Sequence, residues 1–271
     1  MELKRKWWKT IIALALIAIM LFPVYWMINV SFTNRGSIRR GDILPFDFTL
    51  ENYKIVFSDQ MTFLLTSITI GIGTAILTLL IAAPSSFALA KLALPGRRTL
   101  NFILIVAQMV PAVVMSLGFY SLYNTLGILD TIPGLIIADS TISVPFGVLL
   151  LTSFMEGIPK ELIQSAEIDG ASTFRVFRSI VLPLSRNSAV TVMLFAFLWA
   201  WSDFIFASTL NRSGGAMRPI TMGIYNYIGA QNQEWGPLMA TAVVAAIPTA
   251  LLLILAQRYV AAGLTAGAIK D

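Results

Sequence analysis

Neither cysteine nor histidine occurs anywhere in these 271 residues. The first absence removes disulfide frames and thiolate chemistry; the second removes the commonest metal ligand and general base, and with them most zinc, haem and Ser-His-Asp sites. Charge is scarce as well, because Asp, Glu, Lys and Arg make up only 12% of the chain, against about 25% in soluble domains. A phosphate-cradling loop of the Walker type needs a Gly-Lys step, and none of the 18 glycines is followed by lysine, so the chain does not hold ATP in that way. What is abundant is apolar: 57% of the residues are hydrophobic and the mean hydropathy is +0.79. That balance points to an all-α integral membrane protein.

A helix crossing roughly 30 Å of hydrocarbon needs about 20 mostly apolar residues. Stretches free of formal charge run between Lys9 and Arg35, Asp59 and Lys91, Arg98 and Asp130, and Glu234 and Arg258. Two further apolar stretches are each interrupted by one acid, Asp139 and Asp203. Six transmembrane helices are therefore expected, at about 11–31, 62–83, 100–122, 132–154, 188–208 and 238–258. With no repeat and no low-complexity linker, residues 1–271 read as a single transmembrane domain.

Lys and Arg set the orientation. With the N-terminus inside, the cytoplasmic segments hold Lys4, Arg5, Lys6, Lys9, Lys91, Arg97, Arg98, Lys160, Arg175, Arg178, Arg186, Arg258 and Lys270; the outer loops hold only Arg35, Arg39, Arg40, Lys54, Arg212 and Arg218. Both termini are expected to be cytoplasmic, and the net charge of +5 is a topology signal. Its dispersal over four segments speaks against a nucleic-acid partner. The apolar run after Lys9 ends in bulky Tyr25, Trp26 and Met27, which fits an uncleaved anchor better than a signal peptide.

Two loops exceed turns. The outer one, about 33–59, holds Thr49 at a position able to cap a short helix on the membrane surface, with a plain connector as the other reading. The cytoplasmic loop from Glu156 to Asn187 reads as helix, break, helix. Pro159 opens the first helix, Leu162, Ala166 and Gly170 recur every four residues as a small-residue stripe, and Glu161, Gln164, Ser165 and Ile168 lie on a mainly polar face. Gly170 breaks the helix, Ser172 or Thr173 caps the next, and Phe174, Phe177 and Val181 follow helical spacing until Pro183. Spacing alone leaves two readings open: a knob that docks a soluble partner, or an amphipathic segment resting on membrane lipid.

Acids inside a span are costly and usually face the bundle interior or a watery cavity, which makes Asp139 and Asp203 candidates for a substrate pathway. Asp203 lies about 15 residues, or roughly 23 Å, from the cytoplasmic start of its span, and Asp139 about two turns from the outer end of its own, so a solvated position near the interface is the competing reading for each. Trp199 and Trp201 suit either a sugar face or core and interface packing, and Gln108 is a further polar candidate.

At the cytoplasmic loop the residues resemble a known family. Gln164-Ser165-Ala166-Glu167-Ile168-Asp169-Gly170-Ala171-Ser172, followed by Ile180-Val181-Leu182-Pro183-Leu184, is similar to the Glu-Ala-Ala loop of inner-membrane permeases in binding-protein-dependent ABC importers. The similarity extends to Leu50-Glu51-Asn52-Tyr53, to Leu126-Gly127-Ile128-Leu129-Asp130-Thr131 and to Trp235-Gly236-Pro237, and the ending Gly263 to Lys270 resembles that of the maltose-type carbohydrate-uptake permeases.

The resemblance implies a bacterial inner-membrane subunit that pairs with a second permease, sits on two copies of a cytoplasmic ATPase carrying ATP and Mg, and takes a carbohydrate or related polyol from an external binding protein. It implies no cofactor and no metal in this chain, no catalytic residue, and an alternating-access mechanism. The loop would be the coupling helix, with Ala166, Asp169, Gly170 and Ala171 agreeing with the pattern. Gln164 stands where the family has Glu and Ser165 where it has Ala, so the salt bridge of that Glu does not carry over. Glu161 and Glu167 are offset from it. The apolar tail from Tyr259 to Ile269 is expected either to fray or, as in relatives, to touch the ATPase pair. The rival is a secondary transporter or channel working alone, with Asp139 or Asp203 as coupling acid.

Overall fold

The computed structural model describes residues 7–38, 41–211, 217–228 and 234–268, with side chains as far as 257. Among the described residues it is helical throughout, with one isolated bridge, Thr33 to Phe48. The helices are α1 (Trp7–Ser31), α2 (Glu51–Asp59), α3 (Met61–Lys91), α4 (Arg97–Ala107), α5 (Ala112–Leu126), α6 (Ile132–Glu156), α7 (Lys160–Ile168), α8 (Thr173–Val176), α9 (Leu182–Leu184), α10 (Arg186–Ser202), α11 (Ile205–Leu210), α12 (Ile220–Gly223) and α13 (Trp235–Ala268). A π-helical turn, Phe177–Val181, joins α8 to α9.

Among the described residues, four helices are long and apolar enough to cross a membrane: α1, α3, α6 and, as far as Gln257, α13. The count rises to six if two bent pairs are each one span, α4 with α5 at 94° and the α8 to α9 segment with α10 at 77°. The stretch 100–122, expected as one transmembrane helix, is divided between α4 and α5. Pro111 has no amide to continue α4 and is itself extended at ψ 134°, and an X-Pro step disfavours helix at the residue before it without any change in charge. The stretch 188–208 also divides, α10 ending at Ser202 and α11 starting at Ile205.

The chain forms two compact units, Met1–Met61 with Ile224–Pro248, and Thr62–Gly223 with Thr249–Asp271. In the first, α1 is apolar all round and no residue of its most apolar window is buried, a surface suited to lipid or another chain. The amide of Asn52 in α2 donates to the carbonyls of Ser31 and Thr33 at 2.9 and 3.1 Å, just where α1 runs out of helical partners. Tyr53 shares a hydrogen bond with Ser31 at 2.8 Å, and Arg35 pairs with Glu234 at 3.0 Å. Gly236 opens α13 against Asn52, and a Cβ there would lie 2.4 Å from the Asn52 Oδ1. A short helix does follow Thr49, as α2, but Leu50 stands at its N-cap, and Thr49 Oγ1 accepts from the Glu51 amide at 3.1 Å.

In the second unit α3, α6 and α10 pack together. Their hydroxyls bond across the seam, Thr78 to Ser143 at 2.7 Å and Ser86 to the Val148 carbonyl at 2.9 Å. One apolar cluster joins Ala82, Phe87, Leu151, Met155 and Val192 to Val176 and Val181 of the loop; another gathers Ile70, Tyr123, Leu135, Ala138, Phe206 and Leu210.

Candidate functional site

The loop after α6 is built by local rules. Pro159, extended at ψ 134°, immediately precedes α7. At its other end Gly170 has φ +81°, a left-handed conformation that costs an L-residue about 1–2 kcal/mol and glycine little. The Ala171 amide then donates to the Ala166 carbonyl at 2.9 Å and the Gly170 amide to the Glu167 carbonyl at 3.0 Å, a Schellman closure that satisfies carbonyls left over at the helix end. Ser172 accepts from the Arg175 amide at 3.3 Å and caps α8, the first of the two candidates for that cap.

The faces of α7 fall differently from the expected stripe. Ile163 and Ala166, with Ala171 beyond the turn, pack against the chain's own core, alongside residues of α3, α6 and α10. Glu161, Leu162, Gln164, Ser165, Glu167, Ile168, Asp169 and Gly170 are exposed, Ile168 at 86%. The small residue Ala166 therefore gives α7 its close seat on this chain. The outward face is a mixed surface of Leu162 and Ile168 among acids and amides. A Cβ on Gly170 meets nothing within 4 Å, so backbone conformation, not crowding, demands glycine there.

Two ties that the sequence did not signal fix the base of this loop. Lys91, the last residue of α3, donates from Nζ to the Ile158 carbonyl at 2.6 Å, and Arg97 forms an ion pair with Glu156. The only available clue was that these charges bound the apolar runs. Below them Phe177 lies 5.2 Å from Phe87, ring to ring, and Val176 and Val181 are fully buried.

Of the residues proposed for a substrate pathway, Asp139 and Asp203 lie close enough to interact electrostatically. Gln108 is exposed at the α4 bend and donates to the Leu104 carbonyl of its own helix at 3.2 Å. Asp139 is 1% exposed, inside the bundle of the second unit. Trp201 is buried and stacked on Phe197 at 5.5 Å, whereas Trp199 is 44% exposed. The carboxylate of Asp203 accepts from the amides of Ile205, Phe206 and Ala207 at 3.1, 3.2 and 2.9 Å, and its carbonyl accepts from Thr221 at 2.7 Å. It holds the turn between α10 and the start of α11, at the positive end of that helix. An Asn Oδ1 can keep the Ile205 and Phe206 amides while its NH2 cannot accept from Ala207, so Asp203→Asn should leave the uptake KM within about twofold and lose only part of the about 1–2 kcal/mol of stability that Asp203→Ala costs. A large KM change in Asp203→Asn with an unchanged melting temperature would place the acid on the cargo's path instead. The side chains of the C-terminal tail after Arg258 lie outside the described residues.

The family described as binding-protein-dependent transport system inner membrane component matches residues 86–266. The chain is 30% identical over 254 residues to the trehalose transport system permease SugB of Mycobacterium tuberculosis, covering 92% of each. It is 30% identical over 268 residues to the diacetylchitobiose uptake permease DasC of Streptomyces coelicolor, with 97% and 96% covered. The trehalose/maltose permease MalG of Thermococcus litoralis is 31% identical over 263 residues, with 95% and 94% covered. Among solved structures, a chain of a bacterial ABC transporter involved in import of the acidic polysaccharide alginate superposes with a TM-score of 0.80 at 19% identity, covering 96% of this chain and 98% of that one. A chain of the MetNI methionine ABC transporter gives 0.60 at 16% identity, with 78% and 98% covered.

Proposed function

Because the chain belongs to the binding-protein-dependent transport system inner membrane component family, and is thereby the multi-pass inner-membrane subunit of an ABC importer and not itself an enzyme, we propose its finer role as follows. It crosses the membrane six times with both termini cytoplasmic, pairs with a second, similar permease, and rests on two copies of an ATPase. Its cargo is a carbohydrate or related polyol delivered by an external binding protein. The names of its relatives, which handle trehalose, diacetylchitobiose and maltose, support that cargo.

The observation that carries the coupling role is the seating of α7. Its inner face shares one apolar cluster with α3, α6 and α10, while its outer face is free, so a force applied to α7 by a closing ATPase pair is transmitted to three long helices at once. ATP binding on the partner would move α7 and open the cavity outward; hydrolysis would return it inward.

Single cysteines in this Cys-free chain test the arrangement. Cysteines at the exposed Ser58 and Asn124 should react with an impermeant maleimide in intact cells, and one at Ser172 only after permeabilisation. Labelling of Ser172 from outside would invert the topology. Failure of a tagged chain to co-purify an ATPase would remove the coupling role.

A further inference from the structure

The chain leaving α1 turns back along that helix before it reaches α2. The Asn29 amide donates to the Asp42 carbonyl at 2.8 Å, and the Tyr25 hydroxyl donates to the Ile43 carbonyl. Tyr25 lies six residues before Ser31, which ends α1, so its level is about 9 Å short of that end at 1.5 Å per residue. Helical side chains lean toward the N-terminus, which keeps the hydroxyl no nearer the Ser31 end than its own Cα. The chain then climbs again. The Asn34 amide donates to the Asp47 carbonyl at 3.0 Å, Thr33 pairs with Phe48, and the Thr49 amide donates to the Phe32 carbonyl at 2.8 Å. Phe32 stacks on Phe48 and packs against Tyr53, at 5.2 and 4.8 Å, and fixes the shoulders of the dip.

The tip of the dip is Ile43-Leu44-Pro45-Phe46, with one carboxylate at each rim, Asp42 and Asp47. Ile43, Leu44 and Phe46 are 69%, 54% and 75% exposed. Three large apolar side chains held outward by backbone bonds are unfavourable in water, and the acids at the rims mark where the apolar stretch stops.

We propose that the Ile43–Phe46 tip is a wedge seated among the lipid chains of the outer leaflet, anchoring the outer end of α1 and the Asn52 junction beside it. The occupant is lipid because the tip lies beside the exposed apolar side chains of α1 below its buried outer end and hangs about 9 Å below that end, the depth at which interfacial segments bury their apolar side. The inference rests on reading α1 as a span that ends outside.

Spin labels on single cysteines at Leu44 and Phe46 test it, in the full complex reconstituted in liposomes with reactive cysteines of the partners replaced. The ratio of collision with oxygen to collision with a water-soluble nickel chelate should be several-fold higher at both positions than at Ser58 of α2. A control label at Leu16, in the middle of α1 and 56% exposed, should also favour oxygen. Leu44 and Phe46 preferring the chelate, with Leu16 preferring oxygen, would overturn the wedge and leave the span intact. Both positions shielded from both reagents would overturn it in favour of a protein partner. Chelate preference at Leu16 would remove the span reading and the wedge together.

Discussion

Gly170→Leu should abolish most of the rise in ATP hydrolysis that cargo-loaded binding protein produces in the reconstituted complex, while the spans stay inserted. Leucine at φ +81° carries a penalty of about 1–2 kcal/mol, a factor of roughly 5–30 in the population of the Schellman-closed turn relative to its alternatives. Once the turn opens, the bond from the Ala171 amide to the Ala166 carbonyl goes with it, and Ile163, Ala166 and Ala171 no longer sit together on the core that α7 shares with α3, α6 and α10. The ATPase would then move a helix that is no longer tied to the membrane. Gly170→Asn separates this cause from crowding in the partner's groove, because Asn enters the left-handed region more easily than other side chains. Asn should retain much of the stimulation. An Asn variant as impaired as Leu would shift the cause to the partner's surface, and normal stimulation in the Leu variant would end the assignment of α7 as the coupling helix. Ala166→Trp should be at least as damaging, since it forces an indole into the seat of α7.

Much of this organisation was legible in the sequence because it follows from local chemistry. Charge-free runs marked α1, α3 and α13, an apolar stretch broken only by Asp139 marked α6, and Gly170 with Ser172 marked the break and the cap within the loop. The bend at Pro111 escaped because the spans were delimited by charge alone, and an X-Pro step interrupts a helix without any change in hydropathy. Asp203 read as an acid in a membrane. Its use became visible only with the amides of Ile205, Phe206 and Ala207 in place around it. The four-residue spacing of Leu162, Ala166 and Gly170 identified a helix but not which of its faces the rest of the chain would cover. Ala166 turned inward because Ile163 and Ala171 supply the remainder of an apolar seat. Asn52 and Gly236 were visible only as parts of a family pattern, since nothing in periodicity links two residues so distant along the chain.

Gly236→Ala should be the most damaging single-methyl change in the first unit, and a double-mutant cycle with Asn52 should show why. A Cβ on Gly236 would stand 2.4 Å from the Asn52 Oδ1, 2.7 Å from its Cγ and 2.8 Å from its Nδ2, so the methyl meets the amide's body and not a yielding tip. Asn52 has little room to give way, being 5% exposed with its Nδ2 committed to the Ser31 and Thr33 carbonyls. Displacing it forfeits two hydrogen bonds and leaves buried polar atoms unpaired, about 1–3 kcal/mol for each such group, in addition to the strain of overpacking. Asn52→Ala alone loses the same two bonds without the clash. In Asn52→Ala with Gly236→Ala the methyl enters space the amide has vacated, so the double variant should be no less stable than Asn52→Ala alone, and its total loss should fall short of the sum of the single losses by about 1 kcal/mol or more. Thermal unfolding of the purified complex, followed in parallel with the rate of proteolysis in the 33–59 loop, measures all four corners of the cycle. Strictly additive losses would mean that Gly236 and Asn52 do not meet as the structure places them, and the junction of α1, α2 and α13 would need another explanation.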